Sequence, residues 1–188
     1  MKGINKLLIG GILGLSGTLS HSSENIYFEE EIGGVVVTRD SYEKCKVSSI
    51  ELIKEFEDFR GEAYKCGAGK LTIGYGHTGG VRIGDRITRK TAERILIEDI
   101  KKYENAISKN VKTALTPEQF NVLTSFVYNI GIGAFQNSTL LKKLNERDYL
   151  GAGNEMNRWI KVNGTIISKG LVRRRAEEKK LFLKYMPR

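Results

Sequence analysis

From Val47 onward, two hydrophobic rhythms follow one another along the chain. In VSSIELIKEFEDFRG, Leu52, Ile53, Phe56 and Phe59 fall on one wide arc at about 100° per residue, with Glu51, Lys54, Glu55 and Asp58 opposite. Ser48 and Glu51 form a capping box at the start of this predicted helix, and Gly61 is expected to end it. The rhythm then changes. In KLTIGYG, Leu71, Ile73 and Tyr75 alternate with Thr72, Gly74 and Gly76, as along a strand. Gly67 and Gly69 suit the tight turn before it. A third short strand is expected near Val81–Ile83, giving a small antiparallel sheet that needs helices over it.

Helical spacing returns after Thr88, with Ala92, Leu96, Ile100, Tyr103 and Ile107 in phase. LTPEQFNVLTSFVYNIG carries the clearest start signal: Thr116 as cap, Pro117 at the first position and Gln119 closing a capping box. It is nearly all apolar up to Gly131 and predicts a buried central helix. Three shorter helices follow, in NSTLLKKLNERD, YLGAGNEMNRWIKV and GLVRRRAEEKKLFLKYM. The expected class is α+β, mainly α: a sheet-bearing lobe and a helical lobe, with a cleft between them as the natural place for a site.

The first 46 residues break this pattern. Lys2 and Lys6 precede a stretch, Leu7 to Ser23, without Lys, Arg, Asp or Glu. Its apolar part, Leu7–Leu19, contains four glycines and is shorter than the roughly 20 residues of a comfortable membrane helix. A cleaved export signal fits, and so does a weakly held membrane segment that later leaves the bilayer. Either places the remainder outside the cytoplasm. Residues 21–46 show no clear period, and GGVVVT is one candidate strand. The expected organisation is an export or anchor segment at 1–23, a linker at 24–46 and one folded domain at 47–188.

Composition narrows this only modestly. With 40% apolar and 28% charged residues in 188, the chain has an ordinary globular balance. The net charge of +9 is unevenly placed. Lys169–Arg188 holds eight bases against two acids, whereas Glu24–Glu62 holds eleven acids against five bases. A basic end suits an anionic polymer or envelope surface, or simply a solvated helix face. Export and the acidic first third argue against nucleic acid. Two cysteines, Cys45 and Cys66, make no disulfide framework, and with only His21 and His77 they give no zinc pattern. No metal or cofactor is expected.

The candidate chemistry lies in EFEDFRGEAYKCGAGKLTIGYGHT. On the wheel Glu57 falls between Ile50 and Ile53, at the edge of the apolar arc, where desolvation raises a carboxyl pKa as a general acid requires. An ordinary surface Glu is the alternative. Cys66 stands in the turn, and a small buried hydrophobe is its plain alternative. Thr72 offers a hydroxyl from the glycine-bearing side of its strand, able both to donate and to accept.

The segments ELIKEFEDFRGEAYKCGAGKLTIGYGHT, LTPEQFNVLTSFVYNIGIGAFQNSTLLKKLN and GLVRRRAEEKKLFL together resemble the phage-type lysozymes of glycoside hydrolase family 24, over about residues 47–183. The family pattern of Glu, eight residues, Asp or Cys, five residues, Thr is matched by Glu57, Cys66 and Thr72. The N-terminus is similar to that of signal-anchor-release endolysins. The resemblance implies a lysozyme-like two-lobed fold and hydrolysis of the β-1,4 bond between N-acetylmuramic acid and N-acetylglucosamine in peptidoglycan. The enzyme would be a monomer, tethered to the inner membrane through residues 7–23 or free in the periplasm. Rival readings are a lytic transglycosylase and a non-enzymatic cationic envelope-binding protein. Glu57 would protonate the leaving oxygen, and Thr72 would hold a water. Cys66 has three possible roles: placing water, acting as nucleophile, or lying oxidised and silent. The resemblance favours the first. It also raises a regulatory Cys45–Cys66 disulfide, although residues 1–44 hold no cysteine for exchange within the chain, so an outside reductant would be needed. Asn129 and Tyr128 at the end of the central helix are candidate substrate contacts, as is His77, which also suits lobe support. Trp159 suits the core. Of Arg173, Arg174 and Arg175, one is expected to reach inward and pair with an acid.

Overall fold

The computed structural model describes residues 19–22, 25–32, 35–38 and 47–186, without 68 and 163. The first three segments are strands β1 (Leu19–Ser22), β2 (Asn25–Ile32) and β3 (Val35–Thr38), paired antiparallel in the order β1-β2-β3. β3 is the strand expected in GGVVVT. β1 and β2 were not expected, because Glu29–Glu31 breaks the alternation that would have marked a strand. The sheet joins residues on both sides of position 23. Residues 7–18 of the expected export segment lie outside the described residues. Among the described residues, no helix is long and apolar enough to cross a membrane.

Helix α1 runs from Ser49 to Phe56; the Ser48 side chain accepts from the Glu51 N–H, which is one half of the expected capping box, while the Glu51 carboxylate accepts from Lys54 at 3.2 Å. The helix does not continue to Gly61. Glu57 turns extended (φ −105°, ψ 117°), and the chain enters β4 (Arg60–Lys65), which contains Gly61. Sheet pairing overrides helical periodicity here. The Gly61 carbonyl accepts from the Ile87 N–H at 2.8 Å, and the ring of Phe59, just before β4, lies beside that of Tyr75 (centroids 5.7 Å apart). β4 pairs antiparallel with β5 (Leu71–Gly74), with a register shift between Arg60 and Tyr64. Gly69 takes positive φ (76°) in the connecting turn, whereas Gly67 does not.

The expected third strand at Val81–Ile83 does not form. Asp85 folds back on Arg82, whose N–H donates to its carboxylate at 2.8 Å, and Ile83 is left exposed. The third edge comes later and is too short for a strand: a single Glu62–Arg86 bridge, flanked by Ala63 N–H to Asp85 O at 3.0 Å.

Helix α2 spans Arg89–Asn110, capped by Thr88, and α3 spans Pro117–Ile130 with its capping box in place and Gly131 (φ 87°) at its end. Nine consecutive residues of α3, Gln119–Val127, are buried, so it is the central helix the sequence predicts. Then come α4 (Ile132–Gln136), α5 (Thr139–Asn145), α6 (Tyr149–Glu155), a 3-10 turn at Met156–Arg158, a hairpin of β6 (Lys161–Val162) and β7 (Ile166–Ile167), and α7 (Lys169–Lys184). Helix α4 and the small hairpin were not expected from the sequence. The residues expected to be helical up to Val162 include half of that hairpin.

Among the described residues, two hydrophobic clusters form the interior. The larger gathers α3, α5 and Phe182 of α7, among others, with Trp159 packed against it. The smaller holds Ile53, Tyr75, Ala92, Leu96 and Ile100. Helix α1 gives Leu52 to the first and Ile53 to the second, and α2 likewise spans both. The junction of the two lobes therefore runs past the C-terminal end of α1, where Glu57 stands.

Candidate active site

Glu57 is one residue past the last turn of α1, not on the helical arc from which its desolvation was inferred. Its environment is ionic. The Nη1–H of Arg174 donates to Oε1 at 2.6 Å, and 29% of the Glu57 side chain remains exposed. Arg174 itself is 3% exposed and packs over the Phe56 ring at 5.1 Å. It also donates through Nε to Glu178 Oε1 (3.0 Å) and through Nη2 to the Ser125 carbonyl (3.1 Å).

The sequence led us to expect one inward arginine in Arg173–Arg175; there are two. Arg174 and Arg175 are both buried, and Glu178, one turn further along α7, serves both, at i+4 and i+3. Arg173 stays exposed and pairs with Glu55 at 2.8 Å. Burial pushes the Glu178 carboxyl up, while the two arginines pull it back. Burial lowers Arg175 to about 10, against the opposing pull of Glu178, so it stays charged near neutrality. Ser125, Glu178 and Arg175 were not picked out for the site. The available signal was Glu178 at two helical spacings from adjacent arginines.

Cys66 closes β4. Its N–H donates to the Lys70 carbonyl at 2.9 Å, and its own carbonyl accepts from Gly69 N–H at 2.8 Å. The Thr72 hydroxyl donates to the same Lys70 carbonyl at 3.1 Å. One peptide group thus ties Cys66 and Thr72 together at the mouth of the hairpin. Cys66 is half-buried, whereas Thr72 is buried at 3% exposure. Tyr64 pairs directly across from Thr72. Burial raises its phenol, and negative charge on Glu57 and on Cys66 acts in the same direction. Tyr64 therefore stands within electrostatic reach of both, and sequence reasoning missed it. Its signal was the position two residues before Cys66 and opposite Thr72. Cys45 lies outside the described residues, and with it the expected Cys45–Cys66 disulfide.

Tyr128 donates its hydroxyl to the Tyr75 carbonyl at 2.7 Å, fastening the end of α3 to the sheet lobe. Burial raises this phenol strongly, with Glu57 the next contributor, so Tyr128 flanks the site. Asn129 is exposed beside it, and its Oδ1 accepts from Arg175 Nη2 at 3.0 Å. His77 is engaged within the protein on both sides: Nδ1 lies 2.7 Å from Asp99 Oδ2, and Nε2 lies 2.7 Å from the Gly79 carbonyl. That arrangement suits lobe support. A groove of about 510 Å³ is lined by Val47, Ser48, Glu51, Leu52, Lys54, Glu55 and Leu181, and contains none of Glu57, Cys66 or Thr72.

The arrangement puts one carboxyl, held through a single oxygen, at the lobe junction. A thiol, a hydroxyl and a phenol come from the adjoining hairpin. Such a group can deliver a proton to one side of a bond while the hairpin positions a small nucleophile on the other.

The sequence matches the family model for phage lysozyme over residues 54–178. An endolysin of Acyrthosiphon pisum secondary endosymbiont phage 1 is 48% identical over 134 residues, covering 70% of this chain and 92% of that protein. A SAR-endolysin of Escherichia phage Mu is 42% identical over 115 residues, covering 61% and 67%. Among solved structures, the muramidase domain of SpmX from Asticaccaulis excentricus superposes with a TM-score of 0.69 at 41% identity, covering 74% of this chain and 95% of that one. With most of the folded part matched in sequence and in shape, the chain belongs to the phage lysozyme family.

Proposed function

We propose that the protein is a peptidoglycan hydrolase, an endolysin of the N-acetylmuramidase type that cleaves the β-1,4 bond between N-acetylmuramic acid and N-acetylglucosamine. The observation carrying this is Glu57, held at the lobe junction by the buried Arg174 and followed at family spacing by Cys66 and Thr72. In its protonated form Glu57 gives its proton to the leaving glycosidic oxygen. A water on the far face of the sugar attacks the anomeric carbon; the Thr72 hydroxyl holds it, and Cys66, acting as the thiolate, takes its proton, which solvent then returns to the Glu57 carboxylate. The free reducing end and the released alcohol complete the balance. Glycan strands of peptidoglycan are the partner, and breakdown of the wall is the consequence.

The export reading of residues 1–23 accompanies this proposal, with the membrane-tethered or periplasmic form as the working location. The similarity to proteins named SAR-endolysins supports export. Purified peptidoglycan incubated with wild type should release new reducing ends, and Glu57→Gln should release none. Products ending in 1,6-anhydro sugars would identify a transglycosylase instead. Lysis that persists in Glu57→Gln would point to killing by charge.

A further inference from the structure

Glu57 is aimed by Arg174, and Arg174 is aimed from behind. All three guanidinium nitrogens are used: Nη1 on Glu57, Nε on Glu178 and Nη2 on Ser125. A guanidinium is a rigid planar fork, so fixing Nε and Nη2 also fixes where Nη1 points. Glu178 is itself held in place. Its Oε1 accepts from the Ser125 hydroxyl at 2.9 Å, and its Oε2 lies 3.0 Å from Arg175 Nε. It is 0% exposed. A carboxylate this deep pays a large desolvation cost, and an apolar side chain would fill the space with no such penalty. Packing alone therefore does not account for an acid at this position.

We propose that Glu178 is the positioning residue of the active site, holding the Arg174 fork so that the Glu57 carboxyl points at the scissile bond. This rests on Glu57 being the proton donor. Without the Glu178 anchor, Arg174 keeps only Ser125 and the face of Phe56 behind it. The fork then turns about that single hinge, and Glu57 follows. A misplacement on the order of 1 Å costs up to about a hundredfold in rate, and Ser125 limits the movement here.

The test uses the full chain carrying Glu178→Gln, which keeps the shape and removes the charge. On soluble glycan strands, kcat per folded molecule should fall about tenfold while KM stays within about twofold of wild type. In ¹⁵N NMR, the Arg174 Nε–H resonance should leave the downfield position of a charge-assisted hydrogen bond. Wild-type kcat per folded molecule, or an unmoved Nε–H resonance, would overturn the proposal. If Glu178→Gln does not fold, Glu178→Asp decides, because it keeps the carboxyl and draws it back from Arg174 Nε; Ser125→Ala would not serve, since the Ser125 hydroxyl also accepts directly from Arg174 Nη2 at 3.3 Å. A smaller fall in kcat at constant KM supports the proposal, and an unchanged kcat with an unmoved Nε–H rejects it. Should wild type itself release no reducing ends, the assignment of Glu57 fails, and the Nε–H comparison still judges the hold of Glu178 on Arg174.

Discussion

Replacing Arg174 by Ala should cost both stability and turnover, and the structure sets the scale of the first. The change leaves Glu178, which is 0% exposed, with Ser125 and Arg175 as its remaining partners. Breaking a buried pair by removing one partner costs about 3–5 kcal/mol. Arg175 still compensates part of the charge, which points to the lower end. The lost side chain adds a cavity term of about 1–2 kcal/mol if the space stays dry, and less if water enters. A total of about 3–5 kcal/mol is a large share of the 5–15 kcal/mol typical of a folded domain. Arg174→Lys keeps the charge but not the fork, and should lose about 1–3 kcal/mol because one ammonium cannot reach Glu57, Glu178 and the Ser125 carbonyl together. Urea unfolding measures both. Trp159, the only tryptophan, sits edge-on to Phe126 (centroids 6.2 Å apart) in the larger core and reports its loss by fluorescence. An Arg174→Ala protein within about 1 kcal/mol of wild type would refute the ledger, since it would mean that Glu178 needs no second arginine.

Other substitutions probe separate parts of the structure. Gly76 has φ 104°, and a Cβ there would lie 3.2 Å from the Tyr128 hydroxyl, so Gly76→Ala should cost about 1–3 kcal/mol in urea unfolding. Gly67→Ala meets nothing within 4 Å and should be nearly neutral, and equal effects at the two sites would contradict the backbone argument. The Gly151 N–H and the Lys143 ammonium hold the Asp148 carboxyl below the usual carboxylate range, so its stabilising contribution is full above the unfolded-state value and fades as pH falls through the folded one. Wild type should therefore lose its stability advantage over Asp148→Asn on acidification below about pH 4, and a constant difference would reject that coupling. Cys66→Asp should retain turnover of peptidoglycan and lose sensitivity to thiol alkylation. Full turnover by alkylated wild type would remove Cys66 from the chemistry.

How much of this was legible beforehand depended on the range of the interactions involved. Caps and stops act within four residues, so Ser48, Thr88, Thr116 and Gly131 could be read directly, and so could the central helix between the last two. The spacing of Glu57, Cys66 and Thr72 is likewise a property of the chain. The end of α1 was not local. The wheel carried the helix through Glu57 to Gly61, whereas Arg60 and Gly61 belong to β4, with the Gly61 carbonyl bound to Ile87, and the helix ends before Glu57. That earlier end moved Glu57 from an apolar edge to the mouth of an ion cluster assembled 117 residues away in sequence. Tyr64 became a neighbour of the site only through hairpin register, and Arg175 and Glu178 only through the way α7 packs on α3. The sequence by itself determined which residues could carry the chemistry. Tertiary structure decided what surrounds them, because burial and charge pairing are set by segments that meet only in the folded chain.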